Sequence, residues 1–529
     1  MLLFHLASLV ALSAAQGPAV PGYAWRGYGG DPYHDAISTV QSAPLNRVLW
    51  KASLDDDRSY YGDVVFMHYS SPCISAANTI VHSFRFTTEV GGSPDYDNWR
   101  VMGRLGKTGA MIWSLSTDYS APVVYPSDWT SVYPLSLIGK NSVAAGGGGG
   151  TVLIRSSADT AAGSITRIVP YTSVANYNAS PSTYSSIKIC TPFMSDSNGN
   201  LWYGYIVESP LPGALGAQLG TGGVVRVSST GETTYRSVES LGVDPSLNQP
   251  ALNAAPALSR DGNSVYFAVR ESSYYSPAYL VKLNAMNLET ENSVQVIDPS
   301  LPGTGALEIN ESSAAPMVAP DGHVFYGVFG YYWRESHGWM LQFDENLNQN
   351  DSHGIRYPVG AFGWDDTPSI VPSNLVASYK GSAPYLILTK YNDYAINTTT
   401  AAHGVGRNKV AILDPTSNTT SIDWQTGIPV MNEILLVVGV TPDQGSISQG
   451  YQNPVCEWCI NSAAIDPFLK VAIINSEDGH CYKWSFATNS LTQGINLAPP
   501  TSEAYTSTVI GPDGTCYAIN NSVLWAIGK

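Results

Sequence analysis

Ala255-Pro256-Ala257-Leu258-Ser259, followed by Asp261-Gly262 and Val265-Tyr266-Phe267, is a phrase that this chain repeats. It returns as Ala315-Pro316-Met317-Val318-Ala319, Asp321-Gly322 and Val324-Phe325-Tyr326. A third version reads Thr191-Pro192-Phe193-Met194-Ser195, Asn198-Gly199 and Leu201-Trp202-Tyr203. Each version has a small residue, a proline, a short apolar run, an Asp-Gly or Asn-Gly pair, and a β-branched or aromatic run. Asn or Asp followed by Gly accepts the positive φ of a tight turn, so the pair between two apolar runs signals a hairpin. Recurrence at a long period predicts repeated small sheets stacked on one another.

Unit starts fall near Pro72, Pro134, Pro192, Pro256, Pro316 and Pro368, with weaker ones at Ala463 and Thr506, which makes eight units. A propeller blade needs four strands, A to D, in about 40–50 residues. These units are longer, so the surplus lies in loops. The last unit supplies strands near 507–510, 516–519 and 523–527 and lacks an outer one. Arg47-Val48-Leu49-Trp50-Lys51 stands alone before the first full unit and reads like the outer strand Ala110-Met111-Ile112-Trp113-Ser114. The expected fold is all-β: an eight-bladed β-propeller of four-stranded antiparallel blades. Its N-terminal strand completes the last blade and removes a free sheet edge.

Residues 1–15 read as a secretory signal peptide, with Ser13 and Ala15 placed for cleavage before Gln16. Residues 16–529 are then one propeller domain. No other apolar run is long enough to span a bilayer, so no membrane insertion is expected. Six Asn-x-Ser/Thr sequons, at Asn178, Asn310, Asn350, Asn397, Asn418 and Asn520, fit a secreted, extracellular glycoprotein. Charged residues make up 13% of the chain, against roughly 25% in typical domains. The net charge of −16 excludes nucleic acid as a partner, because phosphate binding needs clustered Lys and Arg. A monomer is expected.

Six cysteines, Cys73, Cys190, Cys456, Cys459, Cys481 and Cys516, are compatible with disulfides or with buried thiols. Cys456-Glu457-Trp458-Cys459 has metal spacing but no second Cys pair or His pair, so no zinc site is expected. The run Gly146-Gly147-Gly148-Gly149-Gly150 is not followed by Gly-Lys-Ser/Thr and is no phosphate loop. It is expected to let one blade lie flat beneath a neighbour's loop.

The units resemble the repeats of the pyrroloquinoline-quinone-type propellers, the quinoprotein alcohol dehydrogenase-like superfamily. The small-Pro-apolar starts, the Asp-Gly turns and outer strands such as Lys107-Thr108-Gly109-Ala110-Met111-Ile112-Trp113 carry the resemblance. The whole chain also resembles an uncharacterised secreted group within that superfamily, through Gly360-Ala361-Phe362-Gly363-Trp364-Asp365-Asp366 and Glu457-Trp458-Cys459-Ile460-Asn461-Ser462. The resemblance implies the propeller fold. In the dehydrogenases of this shape it implies a quinone beside an adjacent Cys-Cys disulfide, a Ca²⁺ held by a carboxylate and an amide, and an Asp base. This chain has no adjacent cysteines and no Cys-x-x-Cys-His haem motif, so the quinone is not expected. Glu457, Asn461 and Asp365 offer oxygen ligands for Ca²⁺.

In a propeller the A strands line the channel. The D-to-A connections and B–C hairpins share one face, and the A–B and C–D turns share the other. The first face collects His68-Tyr69, Trp364-Asp365-Asp366, Glu457, Asn461, Glu503 and Tyr505 ahead of A strands. Its B–C loops are read as Tyr96-Asp97-Asn98-Trp99-Arg100, Tyr274-Tyr275, a segment around Trp333-Arg334, and Lys390-Tyr391-Asn392-Asp393-Tyr394. Aromatic rings suit the C–H faces of sugars, carboxylates and amides suit their hydroxyls, and arginines suit a uronate carboxylate. A polysaccharide or small molecule is the implied ligand. Trp333, Trp364, Asp365, Asp366, Tyr391, Asn392, Glu457, Asn461 and Glu503 are the candidate binding residues. His68, Tyr69, Arg100 and Tyr505 are the candidate catalytic groups of a lyase, which needs a base and a cation for the enolate. Each also has a structural reading: aromatics pack blades, Asp365 and Asp366 bond turns, and His68 fills the core. Three functions stay open: a carbohydrate-active lyase or hydrolase, a non-catalytic extracellular binding or scaffold protein, and a quinone-dependent dehydrogenase.

Overall fold

The structure is a computed structural model. It describes residues 23–56, 60–61, 64–65, 68–90, 93–123, 131–273, 275–299, 307–309, 313–330, 338–354, 356–361, 365–391, 408–419, 429–448, 450, 454–458, 460–499 and 506–529. Its strands form eight antiparallel sheets in a ring. The inner strands are Cys73–Ser75, Leu135–Ile138, Met194–Ser195, Ala257–Leu258, Met317–Val318, Ser369–Pro372, Ala464–Asp466 and Val509–Ile510, for blades 1 to 8 in chain order. They begin where the repeat phrase begins. The turn glycines after them take left-handed φ: +88° at Gly199, +74° at Gly262 and +90° at Gly322. Between the D strand of blade 4 and the A strand of blade 5, Leu307–Ile309 pairs with both sheets and makes them continuous.

The ring closes as the sequence implies. Arg47–Ser53 pairs antiparallel with Val523–Gly528, from Arg47 opposite Gly528 to Ser53 opposite Val523. Trp50 on this strand reaches across to blade 1 and donates from Nε1 to the Gly106 carbonyl at 2.6 Å. Other large rings cross seams in the same way. Trp113 Nε1 donates to Ala158 O, Trp202 Nε1 to Ala285 O, and Tyr266 Oη to Glu345 O, at 2.6, 3.0 and 2.7 Å. An aromatic residue fills the gap between blades with its body and satisfies the neighbour's turn with its tip. That is one use of the chain's 32 tyrosines and 13 tryptophans.

The glycine run lies flat beneath a neighbouring segment, as expected. Tyr133, Tyr177 and Tyr203 donate their hydroxyls to the carbonyls of Gly146, Gly148 and Gly150 at 2.9, 2.9 and 3.0 Å, and Tyr171 does so to Gly149. A Cβ on Gly150, at φ +72°, would stand 2.6 Å from Ile187 Cγ2. Gly139 has φ +58° and nothing within 4 Å of such a Cβ. Gly150→Ala is therefore expected to cost about 1–3 kcal/mol beyond what Gly139→Ala costs, read from paired urea melts. Equal losses would mean that Ile187 gives way and imposes no close approach at Gly150.

One reading from sequence changes. Tyr96-Asp97-Asn98-Trp99-Arg100 is no loop but part of the long C strand Ser93–Leu105, paired with Thr79–Val90 across a register shift between Phe86 and Thr88 that falls at Tyr96 and Asp97. Trp99 is buried in the core. It stacks on Tyr133 at 5.2 Å and donates from Nε1 to Asp97 Oδ1 at 2.8 Å. The described cysteines, Cys73, Cys190, Cys456, Cys481 and Cys516, are free thiols. Burial pushes Cys73 and Cys516 up to about 12, which leaves them inert as nucleophiles. Among the described residues no helix is long and apolar enough to cross a membrane.

Residues 23–43, given no role by the sequence reading, form a strap inside the ring. It visits the blades in order. Tyr23 and Trp25 pair with blade 1 opposite Ser75 and Ile74. Arg26 O accepts Leu137 N of blade 2 at 2.9 Å, and Arg26 Nη1 donates to Asp196 O of blade 3 at 2.8 Å. Pro32 O, Tyr33 O, Asp35 O and Ala36 O accept the amides of Leu258, Val318, Ile370 and Ile465, of blades 4 to 7, at 2.8–3.0 Å. Ala43 N donates to Gly514 O of blade 8 at 2.7 Å. Arg260 clamps the strap: its guanidinium holds both carboxylate oxygens of Asp35, at 3.1 and 2.5 Å, and lies over the Tyr33 ring. Leu258 and Val318 end their A strands, and Asp196 and Gly514 stand in A–B turns, so the strap lies toward that end of the channel.

Candidate functional site

At the other end of the channel, equivalent residues stand four positions ahead of each inner strand. They are Tyr69 before Cys73, Ser131 before Leu135, Cys190 before Met194, Asn253 before Ala257, Ser313 before Met317 and Asp365 before Ser369. Asn461 stands three ahead of Ala464. Across blades 5, 6 and 7 this position builds one hydrogen-bonded cluster.

Asp365 Oδ1 accepts both the backbone amide and the hydroxyl of Ser313, each at 2.7 Å. Asn461 Nδ2 donates to Ser313 O and Oγ at 2.9 and 2.8 Å, while its Oδ1 accepts Thr367 N at 3.0 Å. Tyr28 rises from the strap into this cluster. Its hydroxyl sits 2.7 Å from Asn461 Oδ1, 2.9 Å from Ser313 O and 2.7 Å from the Thr367 hydroxyl, which can donate to it. Burial, reinforced by Asp366 and Asp365, holds Tyr28 protonated. Beside it His34 packs edge-on at 5.0 Å and donates from Nδ1 to Pro316 O at 2.7 Å. Burial pushes His34 down to about 4, so the ring is neutral.

The charged part of the cluster is on blade 6. Lys390 Nζ lies 3.4 Å from Asp365 Oδ2, and both side chains are almost wholly buried, at 2% and 1% exposure. Asp366 Oδ2 accepts Thr389 Oγ1 at 2.6 Å and Lys390 N at 3.0 Å, while Oδ1 has no hydrogen-bond partner. Burial pushes Asp366 up to about 6, against the pull of the Lys390 charge. Asp365 adopts φ +61°, left-handed for a residue with a Cβ. The bonds to Ser313 and Lys390 hold it there, the kind of local strain that clusters at working sites.

The structure thus brings Asp365, Asp366 and Asn461 together. His68 and Tyr69 are also buried, but on the blade 1 side, where Tyr69 Oη donates to Ser522 Oγ of blade 8 at 2.5 Å. Arg100 lies within blade 1, its guanidinium 4.1 Å over the Phe86 ring. Glu457 uses its carbonyl to accept Glu477 N at 3.0 Å and Ser476 Oγ at 3.2 Å. Tyr391 ends the B strand Tyr385–Tyr391. Trp333, Trp364, Asn392, Glu503 and Tyr505 lie outside the described residues. Tyr28, Ser313, Thr367 and Lys390 were not singled out from sequence. Ser313 was legible by its position ahead of a strand. Tyr28 had a faint signal in the aromatic, glycine-rich Arg26-Gly27-Tyr28-Gly29-Gly30.

The described residues do not fit a quinone–Ca²⁺ pair. Both Asp365 oxygens are engaged by Ser313 and Lys390, and Asn461 Oδ1 by Thr367 N and Tyr28. Among the described residues no group of three or more His, Cys, Asp or Glu is placed to hold a metal.

No protein-family model and no curated protein sequence matches the chain. Solved structures do match in shape. The quinohemoprotein alcohol dehydrogenase from Comamonas testosteroni aligns with a TM-score of 0.53 and 12% identity, over 97% of this chain and 78% of that one. A europium-containing methanol dehydrogenase aligns at 0.50 and 9%, over 95% and 89%. The quinohemoprotein alcohol dehydrogenase ADHIIG from Pseudomonas putida HK5 aligns at 0.50 and 12%, over 96% and 76%. At such identities the likeness is one of fold, and fold does not carry activity. The chain has the eight-bladed propeller fold of the quinoprotein alcohol dehydrogenases.

Proposed function

We propose that the protein is an extracellular propeller that binds carbohydrate on the face of its D-to-A and B–C loops. The observation that carries this reading is the strap, whose backbone contacts lie toward the A–B turns, so that it pairs with the opposite side of the ring from the D-to-A and B–C loops. To the loops of that face the sequence reading assigns Trp333, Trp364, Tyr391, Asn392 and Glu503. Rigid inner strands hold the Asp365–Lys390–Asn461 cluster, and loops on a rigid scaffold are where binding residues collect. Aromatic faces take sugar rings, and the carboxylates and amides take their hydroxyls. Asp366, pushed up to about 6 by burial, is a carboxyl of this cluster that can exchange a proton near neutral pH, which supports a hydrolase or lyase as the catalytic form of the same reading.

A glycan array probed with the purified protein tests binding. Saturable binding to a defined glycan class is expected, followed by either unchanged glycan or, for a lyase, an unsaturated uronate product. An array without a bound class would sink the reading. The same preparation, given Ca²⁺ and pyrroloquinoline quinone, is expected to reduce no dye with alcohols or sugars. The engaged oxygens of Asp365 and Asn461 are the reason. A quinone-dependent rate would put the dehydrogenase reading in its place.

A further inference from the structure

We propose that Asn178, Asn350 and Asn418 carry N-linked glycans in the secreted protein and that Asn520, with an equally good sequon, does not. The proposal rests on the extracellular part of the reading above and is independent of what the loop face binds. In the transfer, the anomeric carbon of a lipid-pyrophosphate-linked oligosaccharide bonds to the side-chain Nδ2. The bond from that carbon to the pyrophosphate oxygen breaks, and the amide gives up one proton. The folded protein must then leave room for a bulky, hydrated group at that nitrogen.

Three sites meet that demand. Asn178 is exposed on the short helix Val174–Ala179. Asn350 is exposed beyond the C strand Gly338–Phe343, where its backbone bridges to Arg356. Asn418 is exposed on Lys409–Thr419, opposite Met431 and just past a bulge in the register. Its neighbour Ser417 lines an open groove of about 490 Å³ with Asp414, Thr416 and Asn432, so the surroundings are wet and roomy. Among the described residues none of these three side-chain amides has a hydrogen-bond partner, so attaching a sugar breaks no contact there.

Asn520 is the opposite case. It is fully buried at the end of Cys516–Asn520, in blade 8 against blade 7. Its Nδ2 donates to Ser476 O of blade 7 at 3.3 Å, and its carbonyl accepts Trp525 Nε1 at 3.0 Å. The serine of its sequon, Ser522, accepts the Tyr69 hydroxyl from blade 1. A glycan there would stand in the seam that closes the ring.

The test is secretion of the full chain from a eukaryotic host, followed by peptide N-glycosidase treatment in ¹⁸O water and peptide mapping. Each occupied Asn becomes an ¹⁸O-labelled Asp. Label at 178, 350 and 418, with none at 520, is the expected pattern. Secreted protein bare at 178, 350 and 418, or labelled at 520, overturns the proposal. A combined variant, Asn178→Gln, Asn350→Gln and Asn418→Gln, is expected to lose the matching mass while keeping the parent's melting curve. A failed glycan array would leave this result untouched, and bare sequons would leave the array result untouched.

Discussion

A chain beginning at Pro44 should not form a monodisperse, cooperatively melting ring, whereas one beginning at Tyr23 should. The truncation removes the acceptors of five inner-strand amides, those of Leu137, Leu258, Val318, Ile370 and Ile465. At a net of about 0.5–1.5 kcal/mol each, these bonds sum to roughly 3–7 kcal/mol. It also removes Trp25, Tyr28, His34 and Ala36 from the interior. Burial of a large apolar side chain adds about 1.5–3 kcal/mol. The total is of the same order as the whole stability of a typical domain, about 5–15 kcal/mol. Size exclusion and a circular-dichroism melt read the result. A peptide of residues 23–43 added in trans should restore part of it, because the inner edges it pairs with are backbone groups awaiting a strand. A truncated chain that melts as sharply as its parent would show that the blades hold the ring unaided.

Lys390→Met should destabilise the protein by about 3–5 kcal/mol at neutral pH, the usual result of stranding one member of a buried ion pair. Asp365 would keep its Ser313 bonds but lose the cation 3.4 Å away. Asp366, already pushed up to about 6 by burial, also loses the Lys390 charge that pulls it down, so it binds its proton still more tightly in the folded chain than in the unfolded one. Its cost is greatest where it is forced to ionise and shrinks as the pH falls and a proton neutralises it. Urea melts at pH 7.5 and pH 5 should therefore show a large deficit that narrows on acidification. The Asp365→Asn, Lys390→Met double variant should recover part of the loss at neutral pH, since position 365 no longer carries a stranded charge. A deficit of the same size at both pH values would place the role of Lys390 in packing rather than charge.

What could be read from the sequence follows from which interactions are local. The turns after the A strands advertise themselves because Asp-Gly pairs serve a φ requirement that nearby residues set. The closure by Arg47–Ser53 was legible because an orphan strand and a three-stranded blade leave each other as the only partners. The strap was not legible. Its hydrogen bonds run mostly through its own backbone, with five carbonyls accepting from blades 2 and 4 to 7, and backbone groups have no residue signature. Lys390 went unselected for a related reason: a lysine at the base of an aromatic loop reads as solvated, and only the fold puts Asp365 beside it. Trp99 misled because an aromatic-polar run is equally at home in a loop and in a long hairpin with one wet face.

The closure has a consequence in time. Ser53 and Val523 are direct partners, so a strand made early in synthesis waits for one made 470 positions later. At about 5–20 residues per second, the wait is roughly half a minute to a minute and a half. Through that interval the strap and the first outer strand have no finished ring to join, while blades 1 to 7 can already assemble. The last blade is thus a lock that only a full-length chain can turn, and a ribosome that stops short leaves its product with an open edge for quality control to find.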